Sequence, residues 1–100
     1  MTPESKVKEQ VKAILKKHNA YYFMPVANVF ARAGVPDIIA CLHGLFIGIE
    51  CKAGKNTCTK LQLLEHAKIK QAKGTVFVVN ETNLDALDVA LSEIENVQSV

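Results

Sequence analysis

The stretch GVPDIIACLHGLFIGIECKAG, residues 34–54, contains two apolar runs that are separated by His43 and Gly44. Apolar and β-branched residues on both sides of a two-residue loop are typical of a tight β-hairpin. An aspartate precedes the first run, and a glutamate and a lysine end the second. This strongly hydrophobic stretch therefore carries charged residues at the edges of its predicted strands.

The two-residue loop sets the register of the predicted hairpin. Counting outward from the loop places Asp37 directly opposite Glu50, and directly opposed residues have Cβ atoms about 4.5–5.5 Å apart. Lys52 lies two residues beyond Glu50, on the same face and about 7 Å along the strand. A shift of one residue would break this arrangement, because it turns every side chain to the other face.

Two opposed carboxylates destabilise a sheet unless something compensates for their repulsion. Asp37 and Glu50 can share a proton, Lys52 can neutralise them, or both can bind a hard divalent cation that keeps several waters. A metal there would generate hydroxide and neutralise charge on a phosphate, with Lys52 beside the attacking water. The spacing therefore suits a phosphodiester-cleaving site. The alternative is a solvated strand edge, against which the apolar neighbours of Glu50 weigh.

Three helices are predicted around the hairpin. Thr2 and Thr59 stand at typical N-cap positions, so helices are expected to begin directly after them. In the second of these helices, Leu61 and Leu64 are expected to face the core. Leucines at spacings of three and four from residue 84 onward predict a third, amphipathic helix.

Two further strands complete the predicted order. Residues 21–26 are rich in aromatics and predict an edge strand, whereas residues 75–79 predict a strand that is buried on both faces. Residues 27–35 lack a clean period and predict a loop. The expected order is α-β-β-β-α-β-α, which indicates an α/β fold with an α+β-type mixed sheet and one domain over residues 1–100.

The charge of the chain is small but unevenly distributed. A net charge of +2 is too low to diagnose a nucleic-acid-binding protein. Six cations and only two acids precede Pro36, whereas the segment from Val79 onward has five acids and no Lys or Arg. Such a chain can present a positive face although its total charge is near neutral.

The cysteines and the hydropathy pattern bear on location. Three cysteines are an odd number and lie in or next to apolar strands, so we expect reduced thiols in a cytoplasm and no disulfide framework. The histidines and cysteines lack zinc-ligand spacing. No apolar run approaches 18 residues, so we expect neither secretion nor a membrane association.

Four motifs follow one another along the chain. They are a helix with Glu4, the strand start Gly34-Val35-Pro36-Asp37, the strand GLFIGIECK over residues 44–52, and Thr59-Lys60-Leu61-Gln62 at the next helix start. In this order they resemble the PD-(D/E)XK nuclease superfamily, and more closely the small stand-alone members of its VRR-NUC family that are common in bacteriophages. The resemblance covers residues 4 to about 80, essentially the whole predicted domain.

The resemblance implies a restriction-endonuclease-like αβββαβ core with a C-terminal helix, and a DNA endonuclease that depends on Mg²⁺ or Mn²⁺. Asp37 and Glu50 would bind the metal together with the backbone carbonyl of Cys51. Lys52 would serve the attacking water.

Two further residues are assigned to the site by the same resemblance. Gln62 would support the site or contact DNA, and its alternative is an ordinary exposed helix residue. Glu4 would be the helix carboxylate of the site, with Glu9 as the alternative. Glu4 can also be explained as a first-turn acid that interacts with the helix dipole.

The resemblance also implies partners. Small VRR-NUC proteins resemble Holliday-junction resolvases, which are homodimers that cleave branched DNA. Five apolar residues are candidates for an interface, with core packing as the alternative: Tyr21, Tyr22, Phe23, Met24 and Phe30. Arg32, Lys55 and Lys60 are candidates for phosphate contacts, and the alternative for each is a solvated surface charge. No base-reading motif is visible, so recognition of DNA shape is expected.

Two other functions stay open on the sequence alone. One is a nicking or recombination-associated nuclease that acts on ordinary duplex DNA. The other is a catalytically silent DNA-binding module, against which the presence of Asp37, Glu50 and Lys52 together argues. A phage-encoded protein would act in the cytoplasm of its bacterial host.

Overall fold

The computed structural model describes residues 1–26 and 32–98, so part of the predicted 27–35 loop and Phe30 lie outside the described residues. The predicted order of elements is confirmed, and with it the α/β class and the C-terminal helix. None of the described helices is long and apolar enough to cross a membrane. The elements are α1 Pro3–Lys17, β1 Tyr21–Phe23, β2 Ile38–Leu42, β3 Leu45–Cys51, α2 Lys60–Gln71, β4 Thr75–Val79 and α3 Leu84–Gln98.

The four strands form one mixed sheet in the order β1-β2-β3-β4. Strand β2 runs antiparallel to both β1 and β3, and β4 runs parallel to β3. His43 and Gly44 have φ angles of 51° and 82°, which are the positive values that a tight two-residue hairpin turn requires. Ile38 pairs with Ile49, so the register that was predicted from the loop is confirmed.

The outer strands differ from their predictions. β1 is shorter than residues 21–26 and ends at Phe23, two residues before Pro25, which has no N–H to donate to a sheet. β4 was expected to be buried on both faces, and this is wrong. It is the last strand of the described sheet, and Val78 is 44% exposed on the face that β4 shares with α2.

Helices α1 and α3 cover one face of the sheet and form the hydrophobic core with it. The spacing of apolar residues in α3 correctly predicted an amphipathic helix, because residues three and four apart lie on one side of a helix. Burying one such side chain contributes roughly 1.5–3 kcal/mol. The core residues are Val7, Val11, Leu15, Ile38, Ala40, Leu42, Ile47, Ile49, Cys51, Val79, Leu87 and Leu91.

Helix α2 lies on the opposite face and does not bury the residues that its apolar spacing predicted. Leu61 and Leu64 are 54% and 53% exposed, so the expectation that they face inward is wrong. The polar residues Gln62 and His66 and the partly buried Ile69 turn toward the sheet instead. The physical reason is that a buried carboxylate of β3 lies beneath the helix and requires polar partners.

The loop before β2 packs tightly against the start of α2. Gly34 has a φ of 87°, and a Cβ atom added there would lie 2.5 Å from the carbonyl oxygen of Leu61. Only glycine tolerates both the positive φ and this close approach. The loop continues through Pro36 into Asp37 and so fixes where that carboxylate enters the sheet.

Candidate active site

The hairpin brings Asp37 and Glu50 to the same end of the sheet, as the predicted register requires. Asp37 directly precedes β2, whose first residue Ile38 pairs with Ile49. The backbone N–H of Cys51 donates a hydrogen bond of 2.8 Å to Oδ2 of Asp37, which orients this carboxylate across the two strands. Asp37 remains partly exposed, whereas Glu50 is only 1% exposed.

Helix α2 holds the buried Glu50 carboxylate from above. Nε2 of Gln62 donates to Oε2 of Glu50 over 3.2 Å, and Nε2 of His66 lies 3.2 Å from Oε1. The side-chain oxygen of Gln62 also accepts a bond of 2.8 Å from the N–H of Thr59 and so completes a capping box. Gln62 thus links the start of α2 to the carboxylate, and it is not an ordinary exposed helix residue.

The environment of Glu50 disfavours its charged form. Burial raises the pKa of Glu50 to about 8, and the neighbouring Asp37 carboxyl group and the negative charge of Glu4 act in the same direction. The positive charge of Lys52 acts against them. In the metal-free protein the acid pair therefore holds a proton near neutral pH, which a bound cation would displace.

Lys52 lies at the end of β3, next to the acid pair. Its backbone N–H donates a hydrogen bond of 2.9 Å to the carbonyl of Val79, which fixes the main chain at this point. Its positive charge lowers the pKa of Glu50 and, after the larger effects of burial and of Lys70, that of His66, so it acts on both groups. Within residues 1–26 and 32–98 the ammonium forms no ion pair, which leaves it able to bind a water or a phosphate oxygen.

Helix α1 contributes a second cation and a third carboxylate to the surroundings. Nζ of Lys8 lies 3.8 Å from Oδ1 of Asp37. One turn earlier, the charge of Glu4 contributes to the raised pKa values of Glu50 and Cys51. Glu9 is bonded instead to Lys12 over 2.9 Å at the surface. Of the two candidate acids, Glu4 is the one that lies near the site.

The cations that were proposed to contact phosphates lie in two places. Arg32 lines a cleft of about 520 Å³ together with Lys8 and Asp37, and its Nη2 lies 3.2 Å from Oε1 of Glu65. Lys55 and Lys60 are exposed on the loop before α2 and at the first residue of α2. They are not among the described residues that line that cleft.

The donor set at this place fits a hard cation. Among the described residues, no three His, Cys, Asp or Glu side chains come together as a metal-binding group. A cation would therefore bind to the Asp37 and Glu50 carboxylates, a backbone carbonyl such as that of Cys51, and water. Mg²⁺ is usually held by one or two carboxylates, waters and substrate phosphates. The Cys51 thiol lies in the core, and burial raises its pKa to about 12, so it is no metal ligand.

Two residues near the site were not identified from the sequence. His66 was considered only as a zinc ligand and dismissed, and Lys8 was counted only among the six cations that precede Pro36. A spacing signal exists for both, because His66 is four residues after Gln62 and Lys8 is four residues after Glu4. Residues four apart lie on the same side of a helix, so each would have followed from its neighbour.

A comparison of the chain with protein-family models and with curated proteins gives no match.

Proposed function

We propose that this chain is a DNA endonuclease of the VRR-NUC type that depends on Mg²⁺ or Mn²⁺ and hydrolyses phosphodiester bonds. The observation that carries the proposal is the convergence of Asp37 and Glu50 at one end of the hairpin with Lys52 beside them. The burial of Glu50 beneath α2 supports it, because a buried carboxylate next to another acid lowers stability unless it binds something.

In the proposed reaction, a water attacks the phosphorus, a new P–O bond forms, and the bond to the leaving oxygen breaks. The cation, when bound, would supply activation of the water and neutralisation of charge on the phosphate. Asp37 and Glu50 would hold it, and Gln62 keeps Glu50 in place. The ammonium of Lys52 orients the water and stabilises the negative charge that develops on the phosphate oxygens. The attacking water releases one proton to solvent, and the leaving oxygen takes up one proton from solvent.

Branched DNA such as a Holliday junction is the proposed substrate, with the protein acting as a homodimer. One site cuts one strand, so symmetric cleavage of a junction requires two copies. Exposed aromatic surface supports the dimer, since Tyr21 is 71% exposed and Phe23 and Phe46 are about half exposed on the face that α2 covers only in part. The mass of the protein in solution tests this point. A DNA substrate and reduced thiols favour a cytoplasmic location.

Cleavage assays with matched variants test the proposal. Purified protein with Mg²⁺ or Mn²⁺ is incubated with four-way junctions, flaps, nicked duplex and linear duplex. We expect junction cleavage that falls by about 100-fold or more in Lys52→Ala and Asp37→Ala, which is typical of removing a transition-state contact. The control variant is Lys16→Ala, which removes an exposed lysine of α1 two turns beyond Lys8 and should cut DNA as wild type does.

Each outcome of these assays has a distinct meaning. Equal rates on junction and linear DNA would favour a nicking enzyme of ordinary duplex. Binding without any cleavage would favour the silent module. Unchanged cleavage in both site variants would show that the assigned residues are wrong.

A further inference from the structure

His66 is a buried histidine whose ring meets the carboxylate that the proposed function requires. Its side chain is about 5% exposed, and its Nε2 lies 3.2 Å from Oε1 of Glu50. One turn earlier on α2, Nε2 of Gln62 reaches the other oxygen of the same carboxylate over 3.2 Å. Two successive turns of α2 therefore contact the two carboxylate oxygens of Glu50.

The chemistry of these contacts is compatible with a cation at Glu50. An ionised carboxylate only accepts hydrogen bonds, so the Nε2 of His66 carries the proton and donates it when Glu50 is charged. Each carboxylate oxygen has two lone-pair positions, and each donor uses one of them. The two contacts thus fix the rotation of the carboxylate while leaving lone pairs for a cation on the side of Asp37.

The composition of α2 indicates that this arrangement is not there for stability. The helix turns Gln62 and His66 inward while Leu61 and Leu64 stay half exposed. Burying polar groups gains little net free energy even when they are bonded, and exposed leucines forgo about 1.5–3 kcal/mol each if they could have been buried. A helix selected only for packing would present the leucines to the sheet.

We propose that His66 is a positioning residue that holds Glu50 in the orientation needed to bind the cation. This inference rests on the proposed function, because it concerns the cation that Glu50 would bind there. Outer partners that orient a metal ligand typically change metal affinity by about 10–100-fold when they are removed. His66 does not reach the DNA itself, since its ring lies beneath α2 and is directed at Glu50.

Direct Mn²⁺ binding without DNA tests the role of His66. The free Mn²⁺ signal in electron paramagnetic resonance gives Kd for wild type, His66→Leu and His66→Gln, and thermal unfolding checks that each variant is folded. We expect His66→Leu to raise Kd by about 10–100-fold and His66→Gln, whose amide N–H can replace Nε2–H, to stay within about threefold of wild type. In cleavage assays, the half-saturating Mg²⁺ concentration should shift by the same factor while the rate at saturating Mg²⁺ is largely retained.

A matched control separates positioning from helix packing. Ile69→Val trims a partly buried side chain one turn further along α2 without touching Glu50, so it should lower Tm and leave Kd for Mn²⁺ unchanged. If His66→Leu does not fold, His66→Asn takes its place. Its amide is one methylene shorter than that of Gln and should not reach Oε1, so we expect weak Mn²⁺ binding.

The outcomes distinguish failure of this inference from failure of the proposed function. A folded His66→Leu with the Kd of wild type would overturn the role of His66 alone. So would equal affinities of the Asn and Gln variants, should the Leu variant be unfolded. Wild type that binds no Mn²⁺ at all would overturn the proposed function, and the role of His66 with it.

Discussion

The two faces of the sheet are made by the same strands but are packed in different ways. Along β3, Ile47, Ile49 and Cys51 point into the core beneath α1 and α3, and all are fully buried. The residues between them on β3 face α2, and the largest of these, Glu50, is an acidic side chain in a buried position. One face therefore provides the free energy of folding, and the other holds polar groups that lower it.

The difference in packing between the two faces explains how a 100-residue chain can place an acid in its interior. Hydrophobic burial on the α1 and α3 face is large enough to offset a buried carboxylate on the other, because only the net free energy must favour folding. Glu50 retains hydrogen bonds from Gln62 and His66, which reduces the cost of its burial. A rigid apolar face thus supports a polar site directly behind it.

The largest change in stability is expected on replacing a leucine that faces the core, in contrast to a leucine on the outer side of α2. Leu91→Ala removes a fully buried side chain of α3 and should lower the free energy of unfolding by about 2–5 kcal/mol. Leu64→Ala removes a leucine of the same size from the exposed side of α2 and should change it by less than about 0.5 kcal/mol. Urea unfolding of both variants measures the difference. Equal losses would show that something covers the outer side of α2 in solution.

The contrast between the faces also explains which predictions from the sequence held. The hairpin and the meeting of Asp37 with Glu50 followed from counting, because a strand alternates sides with a period of two and the loop fixed the register. In α2 the apolar residues Leu61 and Leu64 share one side of the helix, but periodicity alone does not say which side meets the sheet. A buried polar partner on β3 decided this, and that is tertiary information.

The roles of His66 and Lys8 were missed for the same reason. The role of each residue depends on a carboxylate that belongs to the hairpin, and within its own helix only the four-residue spacing from Gln62 or Glu4 pointed to it. Gln62 was assigned through the resemblance to a nuclease family, and local spacing would not have singled it out. Sequence patterns therefore predicted the elements and the central acid pair well, and the polar contacts between elements poorly.

The second expected effect is a pH dependence of the protein's stability that arises from Glu50 on the α2 face of the sheet. Its folded pKa is about 8, which is above the ordinary glutamate value of 4.5, so its contribution to stability is fully present below about pH 4.5 and is lost as the pH rises through 8. Without metal, Glu50→Gln should therefore unfold at a higher temperature than wild type at pH 8–9, and at a similar temperature near pH 4.5. Thermal unfolding of both proteins across this range measures the effect.

Added Mg²⁺ provides a second test of the difference in Tm between wild type and Glu50→Gln. A cation that binds the charged pair should raise the Tm of wild type at pH 8 and leave that of Glu50→Gln nearly unchanged, because binding to the folded state alone stabilises it. The contradicting result would be a difference in Tm between wild type and Glu50→Gln that is the same at every pH. It would show that Glu50 is charged in the folded protein.

The smallest expected effect is a pH dependence on the opposite face, where His18 joins α1 to α3. Its Nε2 lies 2.5 Å from Oδ1 of Asp88, and its Nδ1 bonds Glu95. Lys17 also bonds Asp88, over 2.7 Å. Burial lowers the pKa of His18, but the hydrogen bonds and charges of Asp88 and Glu95 outweigh it and raise the pKa above its usual value. The charged imidazolium is thus the form that bridges the two helices.

Stability from His18 is therefore fully present below its unfolded pKa of about 6.5 and is lost as the pH rises through the higher folded value. Compared with His18→Gln, which keeps a neutral polar side chain, the Tm of wild type should fall by a few degrees at most above pH 6.5, since Asp88 is partly solvated. The double variant with Glu50→Gln should add the two effects, because the groups lie on opposite faces of the sheet and share no partner. A non-additive double variant would mean that the two faces are coupled through the strands, and that the apolar face does more than support the site.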